Sequence, residues 1–141
     1  MSPAIDRDDA ALLDQARAVL PNAHAPYSRF PVGAALRGRS GRVYPGVNVE
    51  NASLGLSLCA ERTAIFSAIA ADEKAFDAIA IVTRAHDGPT PPCGACRQVM
   101  LEFCGDEFRI LLSAMDTPGE IEEHVLGELV PRPFRQYEPE A

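Results

Sequence analysis

Hydrophobic positions along the chain recur with two different spacings, one typical of helices and one typical of strands. Over residues 8–20, apolar side chains return every three or four positions, which predicts an amphipathic helix that ends at Pro21. Residues 30–38 and 42–50 flank a Gly/Ser-containing turn, and their composition predicts the two strands of a hairpin. Pro45 lacks a backbone donor, so the second strand is expected at a sheet edge or with a bulge.

Beyond the hairpin, segments of helical and strand character alternate. Helices are predicted over 59–71 and 93–104, strands over 78–82 and 108–114, and a short acidic helix over 121–130. Such alternation is typical of α/β domains, in which helices pack on a sheet. The pattern therefore predicts four strands, with a mostly parallel extension of the sheet after the hairpin.

Length, composition and charge limit the possible partners. The chain of 141 residues suits a single domain over 1–141, with a frayed tail from about residue 135. A net charge of -7 argues against a nucleic-acid partner, because polynucleotide binders usually present a basic face. No segment approaches the roughly 20 apolar residues that a membrane span needs, so no membrane partner is expected.

The first ten residues carry acids where a secretory signal would carry basic and then apolar residues. We therefore predict a cytoplasmic protein. Disulfides are rare in that compartment, so the four cysteines of the chain indicate metal binding or catalysis rather than disulfide cross-links.

Two of these cysteines, Cys93 and Cys96, lie in the segment PPCGACRQ at the predicted start of a helix. This spacing is compatible with a disulfide, a redox pair, a structural metal clip or half of an active site. Residues three apart on a helix face the same way, and a helix N-terminus favours thiolates. Cys59, which opens the other buried helix, is the candidate third ligand. Cys104 lies about 12 Å along the helix from Cys96, too far for a shared ion with bonds of about 2.3 Å.

Three protein ligands leave a fourth position for water, which is typical of catalytic zinc, here one Zn²⁺ per chain. Glu61 follows Cys59 by two residues, and at a junction between loop and helix both side chains can point past the helix end. Glu61 is therefore the candidate proton carrier for that water. Arg62 is placed to hydrogen-bond the sulfurs and offset their charge. A redox pair remains the alternative for the two-cysteine motif, but such motifs lack an upstream Cys-x-Glu.

The segments CAE, residues 59–61, and PCGAC, residues 92–96, resemble the zinc nucleobase deaminase pattern H-x-E…P-C-x-x-C, with Cys as the first ligand. In this respect the chain resembles the small homotetrameric cytidine deaminases. The resemblance implies a three-layer α/β fold, with a mixed sheet of about five strands packed between helices. It also implies hydrolysis of cytidine and 2′-deoxycytidine to uridine and 2′-deoxyuridine with release of ammonia, in pyrimidine salvage.

The resemblance also implies contacts to a nucleoside in a pocket shared between subunits. Phe30, in PYSRFPVGAAL, is expected to pack against the pyrimidine, and Asn48 and Glu50, in NVEN, to bind the 3′-hydroxyl side of the sugar. The backbone N–H of Ala60 is expected to bind the base carbonyl. Phe134, in ELVPRPF, is expected to reach a neighbouring subunit's pocket.

Ala52 and Leu54 complete the implied substrate contacts, and Leu54 departs from the family pattern, which commonly has Tyr there. Loss of a phenol removes a hydrogen-bonding group from the pocket, so a modified cytosine nucleoside, such as an antibiotic, is the alternative substrate. A non-catalytic, zinc-stabilised binding module is the alternative outside enzymology. Glu61 argues against that alternative, because a structural site has no use for a proton carrier.

Overall fold

Five strands form one mixed sheet in the computed structural model, which describes residues 5–85 and 87–135. They are β1 (Val32–Gly38), β2 (Val43–Val47), β3 (Phe76–Thr83), β4 (Arg109–Ala114) and β5 (Glu122–Val125). Their order across the sheet is β2-β1-β3-β4-β5. The mixed sheet of about five strands is confirmed, and the proline-containing strand of the hairpin lies at an edge.

The prediction of a mostly parallel extension is wrong. Only β3 and β4 pair in parallel among the described strands, whereas β1 pairs with both β2 and β3 in antiparallel fashion, as β4 does with β5. A helix connects β3 to β4, as a parallel crossover requires. The hairpin therefore joins the sheet through its first strand, with the second strand outermost.

The helices divide between the two faces of the sheet and produce three layers. They are α1 (Arg7–Val19), α2 (Ala60–Ala70), α3 (Gly94–Phe103) and the short α4 (Leu126–Leu129). Alternate residues of β3 serve the two faces: Ile79 and Ile81 pack with α2 and α3, whereas Ala78 and Ala80 pack with α1. Fully buried apolar residues on both faces of β3 explain why its sequence is a continuous apolar run rather than an alternating one.

Close packing of α2 against the hairpin fixes where this helix begins. A Cβ added at Gly46 of β2 would lie 2.4 Å from the carbonyl oxygen of Ala60, so only glycine permits this approach. The first turn of α2 is thereby held against the end of β2. Cys59, immediately before that turn, takes a fixed place relative to the sheet.

The segment predicted as one acidic helix over 121–130 is a strand followed by a single helical turn. Antiparallel pairing with β4, from Arg109 opposite Val125 to Leu112 opposite Glu122, replaces the helical hydrogen bonds. The Arg109 guanidinium donates to Glu123 across this pair at 2.6 Å. A cross-strand partner of this kind overrides local propensity, and it cannot be identified from the segment alone. None of the described helices is long and apolar enough to cross a membrane.

A buried ionic cluster attaches α1 to the sheet, and its loss is expected to destabilise the fold. Asp9 is 2% exposed and accepts hydrogen bonds from Arg109 and from Arg37, the latter at 3.5 Å. Asp9→Asn leaves two guanidinium groups without their shared carboxylate, and we expect the free energy of unfolding to fall by about 2 to 4 kcal/mol. Chemical denaturation monitored by circular dichroism measures this change.

Asp14→Asn on the same helix is the matched control. The side chain of Asp14 is 77% exposed and pairs with Arg17 at the surface, so its loss is expected to change stability by less than about 1 kcal/mol. Equal unfolding midpoints for the two variants would show that the buried Asp9 contributes no more to stability than the exposed Asp14 does.

Candidate active site

Three cysteines from two helix starts converge on one point. Cys59 is the N-cap of α2 and Cys93 is the N-cap of α3, both with extended backbone, and Cys96 lies in the first turn of α3. The sulfur of Cys93 lies 3.7 Å from that of Cys59 and 3.3 Å from that of Cys96. All three sulfurs lie within 4.8 Å of one another. None of the three is in a disulfide.

These distances fit a zinc ion. Bonds of about 2.3 Å arranged tetrahedrally place two sulfurs about 3.8 Å apart, close to the separations found here. Cys104 lies outside the cluster, as its spacing predicts, and is buried in the core. Burial raises the pKa of the Cys104 thiol to about 12, so this group stays protonated and is no competing ligand.

The electrostatics of the cluster favour a bound cation. The pKa of the Cys59 thiol is lowered to about 5. The hydrogen bond with the neighbouring Cys96 thiol is the largest cause, and the hydrogen bond from the Arg62 guanidinium is a smaller one. The interaction with Cys59 and burial raise the pKa of the Cys96 thiol in turn. The adjacent thiols thus share protons that a divalent metal ion displaces when it binds. Arg62 donates to the Cys59 sulfur at 3.3 Å, which brings a positive charge next to the cluster.

Glu61 lies beside this cluster although it follows Cys59 by only two residues. In a continuous helix that offset would turn the side chains about 200° apart, but Cys59 precedes the helix and has extended backbone. Glu61 is 4% exposed. Burial, with a contribution from the charge of Cys59, raises the pKa of the Glu61 carboxyl above its ordinary value. A carboxyl shifted in this direction keeps its proton to a higher pH than an exposed glutamate does.

A cavity of about 450 Å³ opens above the cluster and Glu61. Its volume suits a small organic ligand. Most of the predicted site residues line it. They are Phe30, Asn48, Glu50, Leu54, Cys59, Ala60, Glu61, Arg62 and Cys93. Residues from three separate parts of the chain, around positions 30, 50 and 60, therefore meet at one pocket with the cysteine cluster.

Hydrogen bonds hold the outer part of the pocket in shape. Asn48 is buried, accepts the N–H of Val32 at 2.8 Å and donates to the carbonyl oxygen of Phe30 at 2.9 Å. Glu50 accepts hydrogen bonds from Tyr27 and Ser28. Both predicted sugar-binding side chains thus also fasten the segment before β1, and their positions are set before any ligand arrives.

Two of the predicted substrate contacts do not line this cavity. Ala52 is exposed, and Phe134 is 67% exposed, with its carbonyl oxygen accepting from the Gln98 side chain at 2.7 Å. Their roles stay predictions. Leu54 lines the cavity yet is 71% exposed, so its side chain forms part of the rim.

Sequence patterns did not single out several lining residues. Ser28 lies in the turn before β1, Thr83 ends β3, and Thr90 follows in the loop before α3. The Thr83 and Thr90 hydroxyls lie 3.4 Å apart. The one available signal was the serine in PYSRF, because a small polar residue in a turn beside a predicted contact often bonds the backbone.

Most of the chain is similar in sequence to cytidine deaminases. The family model described as "Cytidine and deoxycytidylate deaminase zinc-binding region" matches residues 6–112. A cytidine deaminase of Sporosarcina psychrophila is 41% identical over 127 residues, which cover 90% of this chain and 91% of that protein. A cytidine deaminase of Halalkalibacterium halodurans is 45% identical over 127 residues, 90% of this chain and 94% of that protein.

Solved structures agree with the sequence matches. The crystal structure of cytidine deaminase from Burkholderia pseudomallei superposes with a TM-score of 0.83 at 49% identity, covering 88% of this chain and 97% of that one. The enzyme from Mycobacterium tuberculosis superposes with a TM-score of 0.77 at 40% identity, covering 92% and 98%. Fold and sequence similarity thus extend over nearly the whole length of both chains.

Proposed function

This chain belongs to the cytidine deaminase family, and from that premise we propose how its own residues carry out zinc-dependent hydrolytic deamination of cytidine and 2′-deoxycytidine. The observation that carries the proposal is the meeting of Glu61, buried and with a raised pKa, with the three-cysteine cluster at one cavity. A binding module would not require a proton-holding carboxyl beside a three-ligand metal site.

The cofactor is zinc, and Cys59, Cys93 and Cys96 are the residues that hold it. A zinc ion with three protein ligands lowers the pKa of a water molecule and supplies a nucleophile near neutral pH. Arg62, through its hydrogen bond to Cys59, limits the negative charge of the thiolate cluster.

Glu61 moves the protons of the reaction. Its carboxylate oxygen accepts the proton released by the attacking water and delivers it to N3 of the cytosine ring, while the water oxygen adds to C4. A second proton passes through Glu61 to the amino nitrogen, which leaves as ammonia. The raised pKa of the Glu61 carboxyl supports this role, because the group must hold each proton between accepting it and delivering it.

The cavity orients the nucleoside for this transfer. Phe30 packs on the base, the N–H of Ala60 binds its carbonyl, and Asn48 and Glu50 bind the 3′-hydroxyl side of the sugar. The carboxamide of Asn48 spends one donor and one acceptor on the backbone, which leaves one N–H and one lone pair for a ligand. Holding the sugar fixes C4 relative to the metal site, which is an orientation effect.

The charges of the cavity favour a nucleoside over a nucleotide. Glu50 and Glu61 are its acids, and Arg62 is the only lysine or arginine among its described lining residues. Since the Arg62 guanidinium donates to the Cys59 sulfur, the one cation among the described lining residues is already paired with the cysteine cluster. Deoxycytidylate is therefore expected to be a much poorer substrate than deoxycytidine.

Assembly and location complete the proposal. A homotetramer with pockets shared between subunits is supported by the exposed apolar side chains of Leu54, Leu56, Phe66 and Phe134, which an isolated chain leaves in water. A cytoplasmic location is supported by the free state of all four cysteines, since disulfides are rare in that compartment. A role in pyrimidine salvage is supported by the proposed nucleoside substrate.

Metal analysis coupled to an activity assay tests the proposal. We expect one zinc per chain, loss of cytidine absorbance with stoichiometric ammonia, and kcat/KM at least about 100-fold lower for deoxycytidylate than for deoxycytidine. Bound zinc with no absorbance change would favour the binding module. A clear preference for a cytosine nucleoside with a modified sugar would favour the alternative substrate that Leu54 suggests.

A further inference from the structure

The carboxylate of Glu50 is held by hydrogen bonds from a single short stretch of chain, in the turn before β1. Its Oε1 accepts the backbone N–H of Tyr27 at 3.0 Å and that of Ser28 at 3.1 Å, and its Oε2 accepts the Ser28 hydroxyl. The same hydroxyl oxygen accepts the backbone N–H of Phe30 at 3.0 Å. One serine therefore connects the carboxylate proposed to bind the sugar with the backbone of the residue proposed to pack on the base.

The hydrogen bonds leave Glu50 one acceptor position. A carboxylate offers about four lone-pair positions, and three of them are occupied by Tyr27 and Ser28. These hydrogen bonds hold the pKa of the Glu50 carboxyl below its ordinary value, and the bond from the Ser28 hydroxyl has the largest effect. Glu50 and Ser28 both line the cavity, so an ionised carboxylate with one free, directed acceptor faces the ligand.

We propose that Ser28 is a positioning residue for the sugar: its hydroxyl fixes the direction in which Glu50 accepts the 3′-hydroxyl of the nucleoside. The inference rests on the proposed function, in which Glu50 contacts that hydroxyl. Ser28 acts on the sugar through the carboxylate of Glu50. Substrates without a 3′-hydroxyl gain nothing from this arrangement.

Other hydrogen bonds already hold this segment in place. The N–H of His24 donates to the carbonyl of Asn48 at 3.0 Å, the N–H of Glu50 donates to the carbonyl of His24 at 2.8 Å, and Arg29 donates to Ala25 at 3.0 Å. Ser28 itself is exposed. Loss of its hydroxyl is therefore expected to leave the fold and its melting temperature nearly unchanged, while it loosens Glu50.

The test compares two substrates with three variants of the zinc-loaded enzyme. Ser28→Ala is expected to lower kcat/KM for cytidine by about 10- to 100-fold, because it removes a charge-assisted hydrogen bond from the sugar-binding carboxylate. For 3′-deoxycytidine the same variant is expected to change kcat/KM by less than about threefold. Ser28→Thr keeps the hydroxyl and restores the rate on cytidine, and Glu50→Gln reproduces the selective loss.

Each result separates the inference from the proposed function. An equal loss on both substrates, or a Ser28→Thr variant as impaired as Ser28→Ala, would show a merely structural role and overturn the inference. If Glu50→Gln alone loses cytidine selectively, Glu50 keeps its role and the inference about Ser28 is wrong. If the unmodified enzyme does not deaminate cytidine, both fail together, and that is established before any variant is compared.

Discussion

Glu61→Gln is expected to lower kcat for cytidine by about 10²- to 10⁴-fold, which is the range that a positioned general acid–base group contributes. Glutamine has nearly the same shape but can neither accept nor deliver the proton. Because Glu61 is 4% exposed and follows a metal ligand by two residues, the isosteric change preserves the packing around the cysteines. Zinc content should therefore stay at one ion per chain while turnover collapses.

Metal analysis and single-turnover rates on one preparation measure these two quantities together. Glu102→Gln is the control, since Glu102 is an exposed glutamate on α3 outside the cavity lining, and it should retain the unmodified rate. Near-normal turnover in Glu61→Gln would contradict the proton-carrier role. Simultaneous loss of zinc would instead assign Glu61 to holding the metal site together.

The metal site could be predicted from the sequence because its ligands mark helix starts. Cys59 and Cys93 precede runs of helical periodicity, and the fold brings those two N-termini together on one face of the sheet. The exclusion of Cys104 needed only the rise of a helix. Where a motif includes the boundary of an element, local geometry carries most of the information about the site.

Other features depend on partners that are distant in sequence. β5 was expected to be helical, and its strand character comes from pairing with β4, with Glu123 bonded to Arg109. The hydrogen bond between Ser28 and Glu50 joins residues 22 positions apart. Ser28 lies in a turn where Arg29 has a positive φ of 56°, a conformation that local sequence rules would expect for Gly or Asn. The residues that shape the sugar end of the pocket were therefore harder to identify than those that hold the metal.

Cys96→Ser is expected to abolish metal binding and, with it, turnover. Cys96 is fully buried, and a serine hydroxyl there is a neutral oxygen donor in place of the thiolate that zinc prefers. With only Cys59 and Cys93 left, zinc content after dialysis should fall from one ion per chain to near zero. The rate on cytidine should fall by more than about 10³-fold, since the nucleophile is then no longer supplied near neutral pH.

Cys104→Ala separates loss of the site from loss of a buried sulfur. Cys104 is 8% exposed in the same core, so its truncation should cost about 1 kcal/mol of stability yet leave zinc content and kcat unchanged. Zinc loss in Cys104→Ala equal to that in Cys96→Ser would mean that general core damage, rather than ligation, removes the metal. Retention of full zinc by Cys96→Ser would contradict the three-cysteine site, because two sulfurs alone do not complete its protein ligands.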